Sequence, residues 1–110
     1  MKVSLCAVLA LLIAPAAFAE MPDYNVKAHC KQVASFGGPQ SEVLLQSCYQ
    51  MEQSAYDELK PSWDELPAPL RAHCTRVAAF GGPGSFALLQ SCVQMESQSA
   101  TDNDKFQFKR

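Results

Sequence analysis

The chain has 110 residues, a formal net charge of −2, 48% hydrophobic residues and five cysteines. That length holds one small domain and little else. The charge balance leaves no basic stripe of the kind that binds nucleic acid or anionic lipid, so neither is expected as a partner.

The amino terminus sets the compartment. Lys2 precedes an apolar run from Val3 to Ala14, followed by Pro15 and the small-residue stretch Ala16-Ala17-Phe18-Ala19 before Glu20. This order predicts a secretory signal peptide over residues 1–19, with Ala17-Phe18-Ala19 as the small-x-small cleavage site. A membrane span needs about 20 apolar residues, so no transmembrane segment is expected after cleavage. Cys6 lies inside the apolar run and leaves with the leader, which leaves Cys30, Cys48, Cys74 and Cys92. An even number in an oxidising compartment predicts two disulfides. Residues 20–110 carry eight Lys/Arg against eleven Asp/Glu, a formal charge of −3.

Residues 29–52, HCKQVASFGGPQSEVLLQSCYQME, return as residues 73–96, HCTRVAAFGGPGSFALLQSCVQME, offset by 44 positions without a gap. Seventeen of the 24 positions are identical, so the chain is an internal duplication. Two copies are too few for a solenoid, which favours a closed bundle of two units.

Within each unit, Phe36-Gly37-Gly38-Pro39 and Phe80-Gly81-Gly82-Pro83 place glycine where a helix ends left-handed, with proline just beyond. Ser41 and Ser85 then stand where an N-cap belongs. Val26, Cys30, Val33 and Gly37 before the turn share one helical face, as do Leu44, Cys48, Met51, Ala55 and Leu59 after it. The second helix is expected from about Ser41 to Lys60, with Pro61 ending or kinking it.

Cys30 lies seven residues before Gly37 and Cys48 seven after Ser41, so both sit roughly 10 Å from the turn at ~1.5 Å rise per residue. Equal height on facing helices suits a bridge, and the same count holds for Cys74 and Cys92. Of the three connectivities open to four cysteines, this favours Cys30–Cys48 and Cys74–Cys92. Each closed loop would add on the order of 3 kcal/mol on the chain-entropy model. Between the units, Trp63 and Leu66 are expected to pack back on the bundle, and Pro69 suits the first turn of the third helix. Residues 101–110 lack periodicity and are read as a flexible tail.

With these motifs in place, the chain resembles a loose group of short, exported, mostly proteobacterial proteins of unassigned function that carry a repeated HC-x-x-VA, Gly-Gly, SC-x-x-ME pattern. The resemblance covers residues 29–96, including Trp63-Asp64-Glu65-Leu66-Pro67. It implies a bacterial periplasmic setting and supplies no activity.

Candidate chemistry is thin. His29-Cys30 and His73-Cys74 pair an imidazole with a sulfur, yet helix neighbours point about 100° apart and an oxidised cysteine is no nucleophile. His29, Cys30, Cys48 and Met51, with their copies His73, Cys74, Cys92 and Met95, form an N/S set that soft copper or zinc could use. The plainer reading places Met51 and Met95 in the core and the cysteines in bridges, so no metal or cofactor is assigned. Glu52 and Glu96 border the apolar stripe near His29 and His73, and a Glu–His contact within or between hairpins is read as orienting the hairpins, ahead of a general acid/base role. Gln46 and Gln50, with Gln90 and Gln94, face outward as solvated residues or as a protein-binding surface.

The reading is an all-α fold: two tandem disulfide-stapled αα-hairpins forming a small, pseudo-twofold four-helix bundle. Its divisions are a leader over 1–19, hairpins over 20–60 and 61–100, and a tail over 101–110. The expected role is a periplasmic or secreted non-enzymatic interaction or accessory module, monomeric or homodimeric, with an unknown protein partner. A soft-metal binder is the alternative, and a thiol-based enzyme stands well behind it.

Overall fold

The computed structural model describes residues 19–110, so Cys6 and all of the leader except Ala19 lie outside it. The described chain holds four α-helices: α1 Val26–Ala34, α2 Glu42–Leu59, α3 Ala68–Ala78 and α4 Phe86–Asp104. A 3₁₀ segment, Lys60–Glu65, joins α2 to α3. No strand occurs among the described residues. The fold is therefore a small all-helical bundle of two hairpins, α1–α2 and α3–α4.

Local signals place the helix ends. The Asn25 side chain accepts from the Ala28 amide at 3.0 Å, and Ser41 and Ser85 accept from Leu44 and Leu88 at 3.2 Å each. Each cap satisfies an amide that the first turn leaves without an intrahelical partner. Gly37 and Gly81 take left-handed φ values of 83° and 74°, which turn the chain out of α1 and α3. Pro61, lacking an N–H, stands where α2 tightens into the 3₁₀ segment, and Pro69 lies in the first turn of α3. The helix α4 extends through Asp104, four residues into the stretch read as tail. Side-chain bonds at i, i+4, Gln98 to Asp102 at 3.1 Å and Thr101 to the Ser97 carbonyl at 3.2 Å, accompany that extension.

Both disulfides join facing helices within one hairpin. Cys30–Cys48 and Cys74–Cys92 each span a Cα–Cα distance of 5.5 Å. The pairing follows from equal height above the turn, as the spacing requires.

The two hairpins are not related by a closed twofold. Glu52 of α2 meets Ser85, Phe86 and Ala87, and Glu58 further along α2 meets Gln90 further along α4. The two helices thus run in the same sense, side by side. Phe86 is the repeat counterpart of Glu42, so α4 is displaced by ten residues along α2, about 15 Å at the helical rise. The core lies where they overlap: Ala55, Leu59 and Trp63 pack with Cys74, Ala78, Phe86, Leu89 and Val93. Trp63 is buried and Leu66 packs partly against this cluster, as expected of the connection.

Two features lock the overlap. The residues just before α1 cross to the other hairpin and to the connection: the Tyr24 hydroxyl donates to the Thr75 carbonyl of α3 at 2.7 Å, and the Trp63 indole of the 3₁₀ segment donates to the Glu20 carbonyl at 3.0 Å. Burial pushes the Tyr24 phenol above the usual tyrosine value, which keeps the proton that this bond uses. Arg71 Nη1 reaches the carbonyls of Leu66 at 2.7 Å, Asp64 at 3.2 Å and Trp63 at 3.4 Å. A cation there complements the negative end of the 3₁₀ segment.

Gly84 sits beneath the Tyr24 ring with φ +94°, and a Cβ built on it would fall 2.2 Å from the ring. Gly84→Ala should therefore lower the melting temperature by about 10 °C, through both the positive φ and the displaced ring. Gly82, around which a Cβ meets nothing within 4 Å, is the control. Its change to Ala should move the melting temperature by no more than about 3 °C in a circular-dichroism melt. Equal effects at the two positions would refute this role for Gly84.

Candidate functional site

Among the described residues Glu52 is the one buried charged side chain, only 2% exposed. It lies in the middle of α2, where the shift between hairpins brings the first turn of α4 against it. Its Oε1 accepts from Ser85 Oγ at 2.6 Å and from the Ala87 amide at 3.4 Å, while Oε2 accepts from the Phe86 amide at 2.5 Å. His29 Nε2 stands 3.6 Å from Oε1. A carboxylate taken out of water is costly unless its oxygens are met by donors, and here a helix N-terminus supplies them together with its positive dipole end. Ser85 is used twice, donating to Glu52 and accepting from the Leu88 amide. Phe86 then inserts between Tyr24 and Tyr56, with ring centroids 4.9 and 5.0 Å away.

The copy of this constellation behaves differently. His73 Nε2 lies 3.5 Å from Glu96 Oε1, matching the first hairpin, yet both side chains are 50% exposed. Both expected Glu–His contacts therefore form inside their own hairpins. Only the first carries the junction between hairpins. The spacing of histidine and glutamate in the sequence was sufficient to find the pairs. It could not show that Ser85 and Phe86 would complete one of them.

The signal that was available lies in the seven positions at which the repeats differ. Gln40 becomes Gly84, Glu42 becomes Phe86, Val43 becomes Ala87 and Tyr49 becomes Val93. All four second-copy residues meet the first hairpin or its preceding segment, or belong to the shared core. Gln90, one of the four glutamines read as outward-facing, is drawn to Glu58 across the junction. Gln46, Gln50 and Gln94 are exposed.

The expectation that Met51 and Met95 fill the core is corrected: they are 62% and 68% exposed. The stripe on α2 contains two flanks, and only the Cys48, Ala55 and Leu59 flank turns inward. Leu44 and Met51 lie on the other, which no further helix among the described residues covers. The same holds at Leu88 and Met95, and at Val33 and Val77. Phe36 and Phe80, at the two turns, are 94% and 93% exposed. Val33, Leu44 and Met51 line one apolar groove of about 320 Å³, and Leu88 of the second unit reaches into it.

The sulfurs of the suggested soft-metal set are joined in the two bridges. Among the described residues no three His, Cys, Asp or Glu side chains converge as a metal site. No helix among them is long and apolar enough to cross a membrane. No family model, curated protein or solved structure matches the chain.

Glu52 and Glu96 should therefore differ sharply in their contribution to stability. Glu52→Ala strips acceptors from buried donors at the start of α4 and should cost about 3 kcal/mol in urea unfolding. Glu96→Ala, at a half-exposed site, should cost less than about 1 kcal/mol. Equal losses would contradict the asymmetry.

Proposed function

We propose that the protein is an exported, non-enzymatic interaction module whose duplicated apolar positions receive an amphipathic helix of another exported protein. One observation carries the reading: four residue pairs of the repeat, Val33/Val77, Phe36/Phe80, Leu44/Leu88 and Met51/Met95, are exposed in both copies. Folding normally removes such side chains from water, and an apolar patch that persists marks a surface another molecule covers. The groove lined by Val33, Leu44, Met51 and Leu88 carries no lysine or arginine. Methionine is unbranched and polarizable, which suits a groove that adapts to an incoming helix.

Export is supported by the leader pattern of residues 1–19 and by two disulfides, which persist in oxidising compartments. The resemblance to short exported proteobacterial proteins favours the periplasm. A non-enzymatic role is supported by the occupation of the reactive groups. The sulfurs are bridged, and both Glu52 oxygens are committed to α4.

Photo-crosslinking in the expressing bacterium tests this. A photoreactive residue at Met51 or Met95 should give a processed, oxidised protein with one discrete heteromeric adduct, abolished by Leu44→Asp with Leu88→Asp. The same residue at Gln46 or Gln94 should give none. A protein that keeps its leader in the cytoplasm, equal adducts at the glutamines, or adducts only to a second copy of the chain would each reject the proposal.

A further inference from the structure

We infer that the second hairpin carries an open copy of the seat that Ser85 and Phe86 fill on the first, and that it receives the start of a helix from a partner protein, capped by serine or threonine and apolar at its first position. This is independent of the apolar face proposed above, with which it shares no residue.

On the first hairpin Ser85 and Phe86 are held on Glu52, and a cavity of about 410 Å³ remains beside Phe86, lined also by Val26, Gln53 and Tyr56. On the second hairpin, Leu70, Glu96, Ser97 and Ala100 stand 44 positions later and line a groove of about 420 Å³ beside His73. Four lining positions of the two grooves thus correspond, while Pro67, Pro69 and His73 line the second alone. Its carboxylate stands against the same imidazole at nearly the same distance, 3.5 against 3.6 Å. What differs is that no helix start among the described residues covers it, so Glu96 keeps the exposure that Glu52 has lost.

The chemistry of the occupant follows from what the first seat holds. A carboxylate at the end of an apolar groove favours a helix N-terminus, with its unpaired amides and partial positive charge, over a neutral apolar chain. An apolar first residue is needed because Leu70 and Ala100 offer no polar partner, and Ala100 leaves open the space that the Tyr56 ring takes in the first hairpin. A second copy of this chain is a poor occupant. Its free N-capped start with a serine is that of α2, which would bring Glu42 beside Glu96 and bury two like charges. Its α4 start is already engaged with Glu52. The fitting partner is thus a helix on another protein that begins as α4 does.

The oxidised protein, titrated with an acetylated peptide of residues 82–98 carrying Cys92→Ser, tests this by amide chemical-shift mapping. Saturable shifts are expected around Leu70, Glu96 and Ala100. Glu96→Gln in the protein should weaken binding at least about tenfold, since a hydrogen bond to a charged acceptor is lost. Ser85→Ala in the peptide should weaken it several-fold. Retention of the wild-type melting temperature by the Glu96→Gln protein separates lost binding from lost folding; if that variant unfolds, the peptide substitution alone decides. No saturable binding, binding indifferent to both substitutions, shifts confined to Val26 and Tyr56, or self-association of the protein through Glu96 would each overturn the inference.

Discussion

A buried carboxylate at the start of a helix organises this molecule. The first amides of α4 have no intrahelical partners, and the tertiary fold removes them from solvent. Glu52 meets them with two oxygens and the serine cap between, so the unfavourable burial of each partner is offset by the other. A single carboxylate within a long helix also marks one position along it. Apolar helix faces allow more than one packing arrangement, whereas a charge that must meet a helix end narrows the choice of register. The ten-residue displacement between hairpins, the insertion of Phe86 between two tyrosines and the location of the core all follow from that register.

Stabilisation is therefore layered. Within each hairpin the constraint is covalent, a bridge that spans 18 residues and restricts the unfolded chain. Between hairpins it is noncovalent: one charged cap, an aromatic cluster, and an N-terminal segment tied across by Tyr24 and Trp63. A chain of this size buries a modest core, and here the core is confined to the overlap of the hairpins. The displacement that creates the core also carries the turn end of the first hairpin past the second, where Phe36 and Leu44 stay exposed.

Much of this was legible in the residues because it is local. The Gly-Gly-Pro turns, the serine caps, the proline at the head of α3 and the matched heights of the cysteines each act within a turn or two of helix. The helices and the disulfide pairing emerge from them. The displacement was not legible in the same way, since a duplicated sequence invites a symmetric arrangement. The information lay in the departures from duplication: a glycine where Gln40 has its copy, and a phenylalanine where Glu42 has its copy. Met51 and Met95 misled for a related reason. Helical spacing reports that residues share a face and is silent on which edge of that face a neighbour will cover. Arg71, whose three carbonyl contacts depend on the 3₁₀ segment folding back, has no sequence signal at all.

The most direct test of the carboxylate junction is a double-mutant cycle in urea unfolding with Glu52→Gln, Ser85→Ala and the pair. Direct contact at 2.6 Å between buried groups predicts that the losses fall short of additivity by about 1–2 kcal/mol. Losses that add to within about 0.5 kcal/mol would mean that the two residues do not act on each other, and the register would need another cause.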